Sequence, residues 1–286
     1  MITGRTGVYG VLGHPVSHSR SPEMQNAAFA AAGIDAVYVA LAVAPDRLGE
    51  AIGGAHALGL HGLNVTVPHK QAAAALCATV YGIAAEVGAV NTLRRAAQGW
   101  EGFNTDAPAC LTLLEAAGAG RGARALLVGA GGAARAAAWA LVRAGAAVRI
   151  AARRFEAARE IAAAFAPRTA AGVAIPQAVP WGDLADESDA ADVVVNGTSV
   201  GLAGHAPELD GLRLRRGQVA VDFVYGDTAL ARSARHAGAR LVTGEQILVR
   251  QGALAFTLWT GRAAPEAAMA AAIALPSPSP APGSTR

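Results

Sequence analysis

"VGAGGAARA" occupies residues 128–136, and its reading decides the fold. It is a G-x-G-x-x-A pattern carried by Gly129, Gly131 and Ala134. "ARALL" before it reads as a strand and "ARAAAWALVRAG" after it as a helix, the context a dinucleotide fingerprint demands. The glycines let the backbone approach a pyrophosphate, and the helix N-terminus favours its charge. An ordinary tight turn in an Ala- and Gly-rich chain is the competing reading. The strand–turn–helix context favours the cofactor.

The next strand ends in "AARRFEAAR". A cofactor with a free ribose 2′-hydroxyl usually meets Asp or Glu there. Here Arg153 and Arg154 stand at the position, and Glu156 is already in the following helix. A guanidinium pairs bidentately with a 2′-phosphate and stacks on adenine, which points to NADP over NAD. The alternative is that both arginines merely cap a surface strand.

Working outward, "FEAAREIAAAF" reads as a helix, and 191–201, 218–225 and 239–244 as further strands. Upstream, "GVYGVLG" (7–13) reads as a strand. "SPEMQNAAFAAAG" (21–33) reads as a helix with Ser21 as cap, Pro22 as first helical residue and Gly33 as stop. A strand at 36–43, a helix at 45–59, the strand "LNVTVP", a strand at 88–95 and "WEGFNTD" (100–106) follow. Alternating strands and helices predict an α/β fold with mostly parallel sheets. We expect an N-terminal α/β substrate-binding catalytic domain over 1–106 and a Rossmann-type NADP-binding domain over 107–244. C-terminal helices over 245–275 would return to the first domain, with a flexible tail at 276–286. Tandem α/β domains place their cleft between them.

Composition narrows the class. Of 286 residues, 53% are apolar and 16% charged, enough to bury a large core. The net charge is +3, with "RLRR" (213–216) the densest basic group and no aromatic-interleaved basic stripe, so nucleic acid is not expected. The Ala-rich runs are broken well short of about 18 apolar residues, and the N-terminus lacks a signal-peptide pattern, so neither a membrane span nor secretion is expected. Cys77 and Cys110 belong to no CxxC motif and read as small buried hydrophobes. Their number suits a reducing cytoplasm. No His spacing suggests a metal.

Chemistry gathers in three stretches. In "NVTVPHK" (64–70), Pro68 ends a strand and Lys70 follows, where an ammonium can supply a proton and stabilise developing alkoxide charge, unless it is simply a surface lysine, which a strand-end position alone does not exclude. In "HPVSHSRSP" (14–22), Ser17 and Ser19 alternate toward one side and can donate to a carboxylate, unless they are loop serines facing water. In "GFNTD", Asp106 lies at a strand-to-helix junction, where N-cap duty alone would explain an aspartate. Asn64, Thr66 and Asn91 are polar residues within or beside strands, each readable as a satisfied core group.

"GHPVSHSRSP", "NVTVPHK", "GAVNTL", "GFNTD", "GAGGAARA", "NGTSVG", "DFVY" and "GEQILVRQGALAFTLW" occur in the order and spacing of one family. Over about residues 7 to 262 the chain resembles shikimate dehydrogenases. The resemblance implies interconversion of 3-dehydroshikimate and shikimate with NADPH, in aromatic amino acid biosynthesis. It implies that Lys70 is catalytic with Asp106 as its partner, and that Ser17 and Ser19 hold the substrate carboxylate. Asn64, Thr66, Asn91, Tyr225 and Gln251 match substrate contacts. Gly129, Ala130, Gly131, Gly132, Ala133, Arg153, Thr198, Val224 and Gly244 match cofactor contacts. The chain departs from the family at Ala152–Arg153–Arg154, where Asn-Arg-Thr is usual. It departs again at Ala107 after Asp106, and at Gly226–Asp227 after Tyr225. Quinate-using relatives often carry Thr at the second serine and an acid near Arg153, so Ser19 and Arg153 favour shikimate and NADP. A quinate or aminoshikimate dehydrogenase, and a non-catalytic NADP-binding regulator, are the rival readings. Either a monomer or a homodimer is compatible with the sequence.

Overall fold

A computed structural model describes residues 1–201, 209 and 211–274. The tail expected at 276–286 lies outside the described residues. β1 (Gly7–Gly13) pairs in parallel with β2 (Ala36–Ala42) and β3 (Gly62–Val65), with α1 (Ser21–Ala31) and α2 (Leu48–Ala57) as the crossovers. β4 (Thr79–Val80), α3 (Gly82–Val87), β5 (Thr92–Ala96) and β6 (Gly99–Phe103) complete a sheet of order β2-β1-β3-β5-β6-β4.

This first sheet is mixed. β5 runs antiparallel to both β3 and β6. The strand expected at 88–95 starts later, because Gly88 closes α3 in the left-handed conformation, φ 68°. "WEGFNTD" does lead into a helix, since α4 begins at Asp106, and "WEGF" is also the second arm of a hairpin turned at Gly99 with φ 130°.

α4 (Asp106–Ala116) carries the chain to a second sheet. There β7 (Arg124–Val128), α5 (Gly132–Arg143), β8 (Ala147–Ala151), α6 (Phe155–Phe165) and β9 (Gln177–Val179) form one half. α7 (Leu184–Ala190), β10 (Val193–Asn196), β11 (Val219–Asp222), α8 (Ala229–Ala237) and β12 (Arg240–Val242) form the other. The order is β12-β11-β10-β7-β8-β9, and every pairing is parallel. This is the doubly wound Rossmann order, and the connection reverses direction between β7 and β10. β7, β10 and β11 have both faces covered by helices, so they read as Ala, Leu and Val runs rather than as alternation.

α9 (Gly244–Thr260) and α10 (Glu266–Ala272) leave the second sheet and return to the first. Phe256 and Met269 bury against Tyr9, Met24, Phe29 and Tyr38. Gln25 Nε2 donates to Gly252 O at 3.0 Å, and Trp259 Nε1 to Leu93 O at 3.0 Å. On the far side of the cleft, α5 is tied to α3. Arg135 Nε donates to Val87 O at 2.8 Å, and Trp139 Nε1 to Glu86 at 2.7 Å.

Candidate active site

The cleft between the sheets is built on the loop after β3. Thr66 N donates to Leu12 O at 2.8 Å and Val90 N to Lys70 O at 2.8 Å, so residues 66–70 are pinned to β1 and to the segment before β5. Lys70 therefore emerges from a fixed backbone. Asp106 is the first residue of α4, and it does not cap that helix. Asn104 Oδ1 accepts from Ala107 N at 2.9 Å in its place. The Asp106 carboxylate is left to accept from Lys70 Nζ at 2.6 Å, with the two side chains only 13% and 6% exposed. A pair this enclosed, and open only to the cleft, holds a proton donor at a fixed point.

A polar wall faces the pair. Asn64 Nδ2 donates to Asn91 O at 3.1 Å and to Thr92 Oγ1 at 3.0 Å. Asn91 Oδ1 accepts from Thr105 N at 2.7 Å, while its Nδ2 donates to Thr105 Oγ1 at 3.0 Å. Gln251 Nε2 donates to Leu248 O at 3.0 Å. Asn64, Asn91 and Gln251 are all buried, and with Thr66 they line the cleft beside Lys70 and Asp106. Tyr225 reaches across from the second sheet, its hydroxyl donating to His18 O at 3.0 Å. Burial pushes its phenol above the ordinary tyrosine range.

The serine assignment needs correction. Ser17 is exposed and does not line the cleft; Ser19 and Ser21 do. Alternation applies to strands, and β1 ends at Gly13. Residues 16–19 form a turn closed by Ser19 N donating to Val16 O at 3.0 Å, so positions two apart do not share a side. Nor is Ser21 the cap of α1. The capping position is Arg20, without a side-chain cap bond, and Ser21 is already helical. Its backbone N–H donates to Ser19 Oγ at 3.3 Å.

The glycine loop forms the opposite rim. Gly129 has φ 120°, and a Cβ there would lie 2.9 Å from the Gly197 carbonyl. The turns after β7 and β10 thus approach closely only because both carry glycine, at the point where the sheet order reverses. Gly132 opens α5 and rests on Lys70: a Cβ on it would lie 2.8 Å from Lys70 Cβ. Ala133, Thr198, Val224 and Gly244 line the cleft, and Ala130 and Gly131 lie in the same loop. A Cβ on Gly244 would meet Val224 O at 2.5 Å. A backbone cradle at a helix N-terminus, with no side chain filling it, fits a pyrophosphate. Arg153 and Arg154 are exposed at the N-terminus of α6, and no side-chain hydrogen bond or ion pair to a described residue holds either guanidinium. They fit the role of reading a 2′-phosphate from outside the cleft.

A larger concavity, about 530 Å³, lies between α8, α9 and α10. Its polar lining, Arg235, Thr243, Glu245, Gln246, Arg250 and Glu266, does not include Lys70 or Asp106.

The N-terminal part of the chain, residues 11–93, matches the model of the shikimate dehydrogenase substrate binding domain. Residues 244–274 match that of the shikimate 5′-dehydrogenase C-terminal domain. Across 277 residues it is 68% identical to the shikimate dehydrogenase (NADP(+)) of Anaeromyxobacter dehalogenans, covering 96% of this chain and 98% of that protein. The chain belongs to the shikimate dehydrogenase family. A solved shikimate dehydrogenase in complex with NADP+ superposes with a TM-score of 0.85 at 34% identity, over 96% of each chain. The shikimate 5-dehydrogenase of Thermus thermophilus, solved with NADP(H) and shikimate, gives 0.78 at 36% identity, over 93% of this chain and 98% of that one.

Within the shikimate dehydrogenase frame, two further groups stand out that the sequence did not reveal. One is Tyr38, behind Ser21 and Asn64. The other is Asp222, which accepts from Asn196 Nδ2 at 2.9 Å, from Val224 N at 3.0 Å and from Thr228. Burial pushes the Asp222 carboxyl above the usual carboxylate range, even against these donors. Asn196 Oδ1 also accepts from Thr198 N, so Asp222 sets the loops that carry Thr198 and Val224.

Proposed function

We propose that this chain catalyses the NADP-dependent, reversible reduction of 3-dehydroshikimate to shikimate, in aromatic amino acid biosynthesis. The observation that carries the chemistry is the Lys70–Asp106 pair at 2.6 Å beneath the glycine loop. When bound, the cofactor supplies or takes the hydride at the substrate carbon. The chain's residues handle the proton and the orientation. Lys70 Nζ donates a proton to the developing alkoxide in reduction and receives it back in oxidation. Asp106 holds the ammonium in place and accepts from the substrate hydroxyl. Asn64, Thr66, Asn91 and Gln251 orient the ring hydroxyls, and Tyr225 closes over the substrate. Ser19 and Ser21 donate to the carboxylate. Gly129–Ala133, Thr198, Val224 and Gly244 cradle the cofactor, with Arg153 and Arg154 on its 2′-phosphate.

On this reading residues 1–106 bind substrate, 107–244 bind NADP, and 245–275 complete the substrate domain. Among the described residues no helix is long and apolar enough to cross a membrane, and we assign the enzyme to the cytoplasm. The test is a steady-state assay with shikimate or quinate and NADP or NAD, on the parent and on Arg153→Ala. Turnover should be best with shikimate and NADP. Charge-assisted bonds are worth about 1.5–3 kcal/mol each, so Arg153→Ala should raise the NADP KM about ten- to a hundredfold and leave the NAD KM unmoved. Absent turnover of shikimate, or better turnover of quinate with NAD, would defeat the assignment.

A further inference from the structure

Tyr38 lies on β2, 1% exposed, and does not line the cleft. Nothing in the proton chemistry uses it. Yet its hydroxyl donates at 2.7 Å to Asn64 Oδ1, on a residue that does line the cleft. A phenol has one proton, and that proton is committed to Asn64.

The direction of each bond around Asn64 is fixed. Nδ2 faces Asn91 O, a carbonyl that can only accept, and Thr92 Oγ1 on its other side. Both amide hydrogens are engaged there, so the oxygen is the atom that meets Tyr38. Tyr38 fills one acceptor position of that oxygen, and a single lone pair is left toward the cleft. Asn91 is oriented the other way. Its oxygen is filled by Thr105 N at 2.7 Å and Thr92 Oγ1 at 3.1 Å, and its second N–H has only the 3.5 Å contact with Gln251 Oε1. Asn64 therefore presents an acceptor and Asn91 a donor.

Resting on the shikimate reading above, we propose that Tyr38 is a positioning residue of the substrate site. Its hydroxyl fixes which way the Asn64 amide faces, so that this residue offers an acceptor, and not a donor, to a ring hydroxyl of the substrate. Asn64 takes a hydrogen bond from the substrate hydroxyl and Asn91 gives one.

The experiment is Tyr38→Phe, which removes one oxygen and keeps the buried ring. Loss of a neutral hydrogen bond predicts a shikimate KM raised roughly three- to tenfold. The kcat and the NADP KM should stay within about twofold, a split that general loosening of the fold would not produce. In an Asn64→Ala background the effect of Tyr38→Phe should vanish, because the phenol acts through that residue. If Tyr38→Phe fails to fold, Thr92→Val, which removes the acceptor of Asn64 Nδ2 and the donor to Asn91 Oδ1, should likewise raise the shikimate KM without moving the NADP KM. An unchanged shikimate KM, a matching rise in the NADP KM, or an undiminished effect in the Asn64→Ala background would overturn the inference. A parent enzyme inactive on shikimate would instead defeat the functional assignment.

Discussion

Replacing Lys70 by Met keeps the length of the side chain and removes its ammonium. Two effects of similar size follow, and they must be separated. The first is on stability. Asp106 would be left 4% exposed without its partner at 2.6 Å. Breaking a buried pair costs about 3–5 kcal/mol, and the opening to the cleft puts this site near the lower end. The second is on the reaction. A positioned proton donor contributes about 10²- to 10⁴-fold, or about 3–5 kcal/mol of barrier. Urea unfolding and single-turnover rates measured on Lys70→Met, Asp106→Asn and the double variant distinguish them. The single Lys70→Met protein should be destabilised and slowed at least ~100-fold. The double variant has no unpaired charge, so its stability should return to within about 1 kcal/mol of the parent while its rate stays low. Asp106→Asn alone should also be slow, since Asn104 and not Asp106 caps α4. A double variant that regained turnover with its stability, or a folded Lys70→Met within a few-fold of the parent, would refute the proton role.

The other expectations are shorter. Ser21→Ala should raise the shikimate KM about tenfold or more, since bonds to a charged group are worth about 1.5–3 kcal/mol, whereas Ser17→Ala should leave it unchanged; equal effects would restore the alternation argument. Gly132→Ala places a Cβ 2.8 Å from Lys70 Cβ and should cut kcat about tenfold or more, because small misplacements of a reacting group are costly. Gly131→Ala meets no protein atom and should act through the NADP KM alone. Asp222 holds its proton more tightly folded than unfolded, so its contribution to stability is complete below its ordinary value of 3.8 and is lost as pH rises through its raised folded value. The Tm of Asp222→Asn relative to the parent should therefore climb from acid to neutral pH; a pH-independent difference would contradict the raised value.

Much of the architecture could be read from short-range pattern. Gly129, Gly131 and Ala134 announced the Rossmann turn because a close backbone approach admits only small residues. Lys70 and Asp106 were singled out through the family resemblance, since a strand end and an N-cap position would each explain such a residue without chemistry. The serine pair was misread because a period-two argument was carried past Gly13 into a turn. The β5–β6 hairpin escaped notice because Gly99 sits in a weak turn signal, "AAQG". Asp222 and Tyr38 escaped for a different reason. Asp222 meets Asn196 only because β10 and β11 are neighbours in register, and Tyr38 meets Asn64 only because β2 and β3 flank β1. Such contacts are set by sheet order, which no local window contains.

The return of α9 and α10 has a consequence for synthesis. Met24, Phe29 and Tyr38 leave the ribosome more than 200 residues before Phe256 and Met269, the residues that seal them. The second sheet has no such debt, since its strands all lie between 124 and 242. The half of the enzyme translated first is thus completed last, and the nascent chain carries an open apolar face while the later half folds. A translation product truncated after Val242 should consequently engage holdase chaperones far more than one released after Ala274.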